Sequence, residues 1–146
     1  MSRTSTLDVT ELASRLRLGV TRLARKLRQE AEYGISPTLL SALSAVERGG
    51  RVTVSELCAA EQVQPPTMSR AVAGLEEAGL ITREQDADDR RVSWLRVTTE
   101  GAKLLQGTRR RKEAYLAKRL RELGPAEMAV LEEAAAILEE LVEGSQ

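Results

Sequence analysis

The sequence predicts a mainly α-helical domain carrying one small β-ribbon. Apolar residues recur at spacings of three and four through most of the chain, and glycines and prolines fall where those stretches should start and stop. Residues of β character are confined to Leu80–Glu84 and Arg90–Thr98, on either side of the acidic stretch Asp86-Ala-Asp-Asp89. Helix should therefore fill about two-thirds of the chain, against a usual share near one-third.

From Thr10 to Tyr33, Leu12, Leu16, Val20, Leu23 and Leu27 lie on one helical face, and Gly34 can end that helix in the left-handed conformation. Ser36 offers an N-cap with Pro37 at the first helical position. Leu39, Leu40, Leu43 and Val46 then give a second, shorter helix its apolar face as far as Gly49-Gly50. Arg51-Val-Thr53 has room for only a very short strand. Thr53-Val-Ser-Glu56 matches a capping box, which opens a third helix containing Leu57, Cys58 and Ala60.

Val63 fills a tight turn and Pro65 or Pro66 starts a fourth helix, whose inward residues are Met68, Val72 and Leu75 before Gly79 caps it. Two helices joined by so short a turn make a helix-turn-helix, and the ribbon that follows makes it winged. In the second ribbon strand Leu95 and Val97 share one face while Trp94 and Arg96 share the other. Thr98 or Thr99 restarts helix, with Glu100 in the first turn and Leu104, Leu105, Leu116, Leu120 and Leu123 leading to Gly124. Pro125 opens a last helix with Met128, Leu131, Ala135, Leu138 and Leu141 in one stripe. The sequence has no repeat, low-complexity tract or linker, so 1–146 reads as one domain. Its expected parts are terminal helices over 10–34 and 99–143 and a winged helix-turn-helix over 36–98, with a recognition helix at 65–79 and a wing at 81–98.

A chain of 146 residues buries on the order of 70% of its unfolded surface and needs no disulfide or metal to fold. Lys and Arg together number 22 and Asp and Glu also 22, so any attraction to nucleic acid must come from a local basic surface. The absence of His, with Cys58 as the one cysteine, removes disulfides, Cys/His metal sites and His-dependent catalysis. No phosphate-binding glycine loop or activated nucleophile is visible, so we expect no enzyme, no cofactor and no metal. With Tyr33, Tyr115 and Trp94 as the only aromatic residues, stacking platforms for single strands or RNA are missing. No apolar run reaches membrane-spanning length, and the first eight residues lack the apolar core of a secretory signal. With a single free thiol, these features place the chain in the cytoplasm.

Duplex DNA suits the fourth helix. Its N-terminal end should present free backbone N–H groups and a positive dipole to phosphates, and short side chains there allow close approach. Gln64, Pro65, Pro66, Thr67, Ser69 and Arg70 are the candidate contacts on this element, with Arg70 the foremost base reader. Gln64 and Thr67 have the alternative role of capping the helix. At the wing, Arg90 is the candidate for insertion into a narrow minor groove, and Arg91 is the structural partner of Asp86, Asp88 or Asp89. Cys58 reads as inert core, Trp94 as packing on the outer face of the ribbon, and Arg109-Arg-Arg-Lys112 as a solvated helix face.

With these residues in view, the chain resembles the MarR family of transcription regulators along its whole length. The family's wing signature is matched by Asp89-Arg-Arg91 through Val97-Thr98 and the following Glu100-Gly101, and its helix-four signature by Leu75-Glu-Glu-Ala-Gly-Leu80. The resemblance implies a homodimer interlocked through the first, fifth and sixth helices, a near-palindromic duplex site, repression as the commonest action, and a small phenolic or other amphipathic aromatic effector. The apolar stripes of the terminal helices independently favour a dimer. The chain departs from the family pattern in having Ala73 where Asp is common, which implies the loss of a link from the fourth helix to the wing. It also has Ala87 where Pro is common, which implies a looser wing tip. The competing reading is a helical dimer that serves as a protein-interaction adaptor without binding DNA.

Overall fold

The computed structural model describes residues 8–31 and 34–144. Helix α1 (Val9–Ala31) precedes α2 (Pro37–Gly49), strand β1 (Val52–Thr53), α3 (Val54–Glu61) and α4 (Pro65–Glu77). The ribbon β2 (Ile81–Gln85) and β3 (Ser93–Val97) follows, and the long helices α5 (Thr99–Leu120) and α6 (Pro125–Glu143) complete the chain. The end of the first helix, expected at Tyr33, lies outside the described residues. Gly34 just beyond it has φ +75°, the left-handed conformation expected there.

Local chemistry fixes the element boundaries. Ser36 Oγ accepts from the Leu39 N–H at 3.3 Å to cap α2, and Thr53 and Glu56 exchange both hydrogen bonds of the capping box at the start of α3. Helix α4 ends in a Schellman arrangement about Gly79 at φ +75°. There the Gly79 N–H donates to the Glu76 carbonyl at 3.0 Å, and the Leu80 N–H donates to the Leu75 carbonyl at 2.9 Å.

The ribbon is narrower than the sequence suggested, because Asp86 to Val92 form a turn closed by the Asp86 N–H donating to the Val92 carbonyl at 2.9 Å. Strand β3 is central in an antiparallel sheet of order β1-β3-β2, with Leu95 opposite both Val52 and Arg83. The core lies where α2, α3 and α4 meet the inner face of this sheet, and Leu43, Leu57, Leu75 and Leu95 are fully enclosed. Cys58 packs at the edge of that core, as expected. Burying such leucines contributes about 1.5–3 kcal/mol each.

Helix α5 leaves the sheet under tight constraint. A Cβ on Gly101 would come within 2.2 Å of the Leu80 carbonyl oxygen, so only glycine lets α5 pass this closely over the end of α4. Farther along, α5 lies against α2, which corrects the reading of residues 109–112 as merely solvated. Arg109 pairs with Glu47 of α2, and Arg111 is half-buried beside Thr108.

The terminal helices keep much apolar surface uncovered. Leu12, Leu16, Leu18, Val20 and Leu23 of α1 are exposed, as are Met128, Leu131, Ile137, Leu138 and Leu141 of α6. No residue of α6 is buried. Among the described residues, no helix is long and apolar enough to cross a membrane.

Candidate nucleic-acid interface

Helix α4 is two-sided. Met68, Ala71, Val72 and Leu75 are buried, whereas Gln64, Pro65, Pro66, Thr67, Ser69 and Arg70 are all exposed, so the six candidates form a continuous outer surface at the first turns of the helix. Gln64 is the N-cap by backbone geometry, but its side chain makes no capping hydrogen bond and stays available. The expectation of several free N–H groups at this terminus needs correction. Pro65 and Pro66 occupy the first two helical positions and have no N–H, while the Met68 N–H is used by the Gln64 carbonyl. Among the described residues, the N-cap Gln64 and Thr67 therefore carry the backbone N–H groups that remain at this terminus.

Arg90 and Arg91 sit together at the wing tip with different partners. Arg91 grips Asp89 through Nε to Oδ1 at 3.1 Å and a terminal guanidinium nitrogen to Oδ2 at 3.3 Å, and its backbone N–H also reaches Asp89 Oδ1. These bonds from Arg91 hold the Asp89 carboxyl below its ordinary range. Of the three carboxylates the sequence offered to Arg91, the partner is Asp89. The Arg90 guanidinium makes no ion pair among the described residues and is exposed, while its carbonyl accepts from Gln85 Nε2 at 3.3 Å.

The departures at Ala73 and Ala87 have less effect than their sequence context implied. Ala73 is exposed and carries no link, but one turn later Glu76 pairs with Arg83 of β2 at 3.6 Å, so α4 and the ribbon are joined at the base. Asp86 organises the tip without a proline. Its Oδ1 accepts the N–H groups of Asp88 and Asp89 at 2.8 and 3.4 Å, and its Oδ2 accepts Trp94 Nε1–H at 3.0 Å. The Asp88 amide and the Trp94 indole, with Arg51 nearby, hold the Asp86 carboxyl below the usual range.

Trp94 thus does more than pack on the outer face. Sequence reasoning missed Asp86 and Arg51 as its partners because they lie on different elements and meet only through the ribbon pairing. Thr53 opposite Trp94 in register was the available signal.

Beside the outer face of α4, a cavity of about 340 Å³ opens between Arg28 of α1, Pro37, Thr38, Ser41 and Ala42 of α2, and the helix-turn-helix. Its walls include Thr67 and Met68. Ser41 and Arg48 both bond Glu61 at this edge, at 2.6 and 3.2 Å.

Residues 33–92 match the MarR family. An uncharacterised HTH-type transcriptional regulator of Mycobacterium leprae is 36% identical over 135 residues, spanning 92% of this chain and 94% of the relative. The chain belongs to the MarR family. A crystal structure of a transcriptional regulator from Pseudomonas aeruginosa PA01 superposes with a TM-score of 0.79 at 36% identity, covering 94% of this chain and 99% of that one. The HTH-type transcriptional repressor MdtR of Bacillus subtilis is 28% identical over 123 residues, 81% of this chain and 79% of MdtR. This MarR protein is accordingly a winged helix-turn-helix, DNA-binding transcription regulator.

Proposed function

We propose that this protein is a homodimeric repressor that reads a near-palindromic operator with α4 and the wing and is released by a small-molecule effector. The observation that carries this reading is the outer face of α4. Six exposed residues of groove-compatible chemistry stand there on a helix whose inner face is fully anchored in the core. Arg70 serves as the base reader, with Gln64, Thr67 and Ser69 beside it and Pro65 and Pro66 shaping the approach. Arg90 reaches the minor groove and Arg91 braces the tip through Asp89.

The bare apolar stripes of α1 and α6 support the dimer, since soluble monomers seldom leave such contiguous patches uncovered. Two-fold symmetry then sets two recognition helices about one helical turn of DNA apart. The repressor named among the relatives supports that direction of control.

For the effector, the cavity between α1, α2 and the helix-turn-helix has apolar walls from Ala42, Val63, Met68 and Ala71 and a polar rim from Arg28, Thr38 and Ser41. That lining suits an amphipathic molecule of the phenolic kind. Because Thr67 and Met68 line it, an occupant presses on the first turn of α4. An effector that prefers one spacing of the two recognition helices by about 3 kcal/mol changes operator occupancy roughly a hundredfold.

Fluorescence anisotropy with duplex DNA from the gene's own upstream region, beside a scrambled duplex, tests the reading. Preference for the native duplex by roughly a thousandfold, erased by Arg70→Ala, is the expected result. Equal, weak and purely salt-controlled binding to both duplexes, followed by no enrichment in a genome-wide selection, overturns it in favour of the adaptor.

A further inference from the structure

Trp94 is the single tryptophan of the chain and occupies a half-buried place on the outer face of the ribbon. Two groups from other parts of the fold converge on it. The Arg51 guanidinium, next to β1, lies 3.8 Å from the ring centroid, and Asp86 at the wing tip accepts the indole N–H at 3.0 Å. The other oxygen of the same carboxylate gathers the Asp88 and Asp89 amides. Asp89 in turn holds Arg91. A continuous chain of contacts therefore runs from the body of the domain at Arg51, through Trp94 and Asp86, to the turn that carries Arg90.

We propose that Arg51, Trp94 and Asp86 form a brace that sets the direction of the wing tip, making Trp94 and Asp86 positioning residues for the contact of Arg90 with DNA. The physical case rests on what each link removes. A two-stranded ribbon projecting from a sheet can bend about its base, and ordering it on DNA costs conformational entropy for each residue fixed at binding. A tip already fixed by a half-buried indole and a shared carboxylate meets less of that cost on the duplex. The ring is held on its face by a cation and at its edge by an acceptor, so it can neither flip nor slide without losing one of them. Asp86 thereby does from the outer face what a proline in the turn does by restricting the backbone, which accounts for a tip organised without one.

The inference rests on the reading of Arg90 as a DNA contact, and the test separates the two. A labelled duplex obtained by selection from random sequence is titrated with the wild-type protein, Trp94→Phe, Arg90→Ala and the double variant, each over a range of salt. Trp94→Phe keeps an aromatic ring, though a smaller one, under Arg51 and removes the donor to Asp86. We expect it to weaken binding about five- to tenfold and to lower the salt slope by about one, as loss of one phosphate-neutralising cation does. In the double variant the loss should equal that of Arg90→Ala alone, because a brace has nothing left to position. Asp86→Asn, which leaves the core untouched, should reproduce the Trp94→Phe result. Unchanged affinity in Trp94→Phe, or losses that simply multiply in the double variant, overturns the brace. If Arg90→Ala itself binds like wild type, the wing contact falls, and the brace with it.

Discussion

The Thr98 hydroxyl donates to the Gly79 carbonyl at 2.7 Å and accepts from the Gly101 N–H at 3.1 Å. One side chain thus fastens the end of α4 to the beginning of α5, and the Thr98 N–H adds a bond to the Leu80 carbonyl at 3.0 Å. Because α5 leads away toward α1 and α6, this junction fixes the angle between the recognition helix and the helices proposed to pair the subunits.

Removing the hydroxyl should therefore act on stability and on DNA binding together. Thr98→Ala should cost about 1 kcal/mol, the usual loss for an N-cap, and lower the melting temperature by about 2–4 °C. Thr98→Ser should restore both, because it returns the donor and acceptor. Thermal denaturation followed by circular dichroism decides this, and a Thr98→Ala protein that melts like wild type would show that the junction is held by packing alone.

Gly101 at the same junction admits no side chain. Gly101→Ala places a methyl group within 2.2 Å of the Leu80 carbonyl oxygen and 2.8 Å of Val97 Cγ1. Since backbone must move to make room, we expect a loss of about 1–3 kcal/mol, larger than ordinary helix propensity could offset. The midpoint of urea unfolding measures it, and an unchanged or raised midpoint would contradict the packing described.

The two wing arginines should differ in solution. Arg91 is committed to Asp89, and exposed pairs of this kind contribute about 0–1 kcal/mol. Arg90→Ala should lower the salt slope of duplex binding by about one, whereas Arg91→Ala should lower affinity with a smaller change in slope. The reverse order would exchange the roles assigned to them.

The wing should be insensitive to pH across the neutral range. The carboxyls of Asp86 and Asp89 are both held below their ordinary value of 3.8 by hydrogen bonds present only in the fold. Their contribution is thus complete above that value and is lost as pH falls through the lowered ones. The chain also has no His, the side chain whose ordinary titration falls between about pH 5 and 8. Trp94 emission should stay flat over that range and change only below about pH 4. A transition near neutrality would contradict the hydrogen bonding of Asp86.

The apolar face of α6 supplies a further handle. Leu138 and Leu141 are exposed in the isolated chain, so Leu138→Asp with Leu141→Asp should leave the fold intact and yield monomers in sedimentation velocity. A wild-type protein that sediments as a monomer would remove the dimer.

Element types were legible in the sequence wherever one residue controls its own neighbourhood. Ser36, the Thr53 and Glu56 pair and Gly79 each carry their capping role in local spacing, and the structure uses each of them, while of Thr98 and Thr99 it takes Thr98 as the cap. The outer face of α4 was equally plain, because Met68, Val72 and Leu75 mark the opposite side. The pairings across elements could not be read in this way. Arg109 meets Glu47 sixty-two positions away, and Arg83 joins the ribbon to α4 at Glu76, although Ala73 carries no link as its sequence implied. Such partners depend on how elements dock, which no local pattern specifies. The choice of Asp89 for Arg91 was open for the opposite reason, since three carboxylates lay within reach in sequence.

The most direct measurement is a selection of bound fragments from random duplex DNA by the wild-type protein and by Arg70→Ala in parallel. A sequence-reading dimer should enrich a two-fold symmetric site with half-sites about one helical turn apart, and Arg70→Ala should lose preference at one base position in each half. Enrichment of no sequence, or of the same sequence with equal strength by both proteins, would contradict the assignment of α4 as the reader.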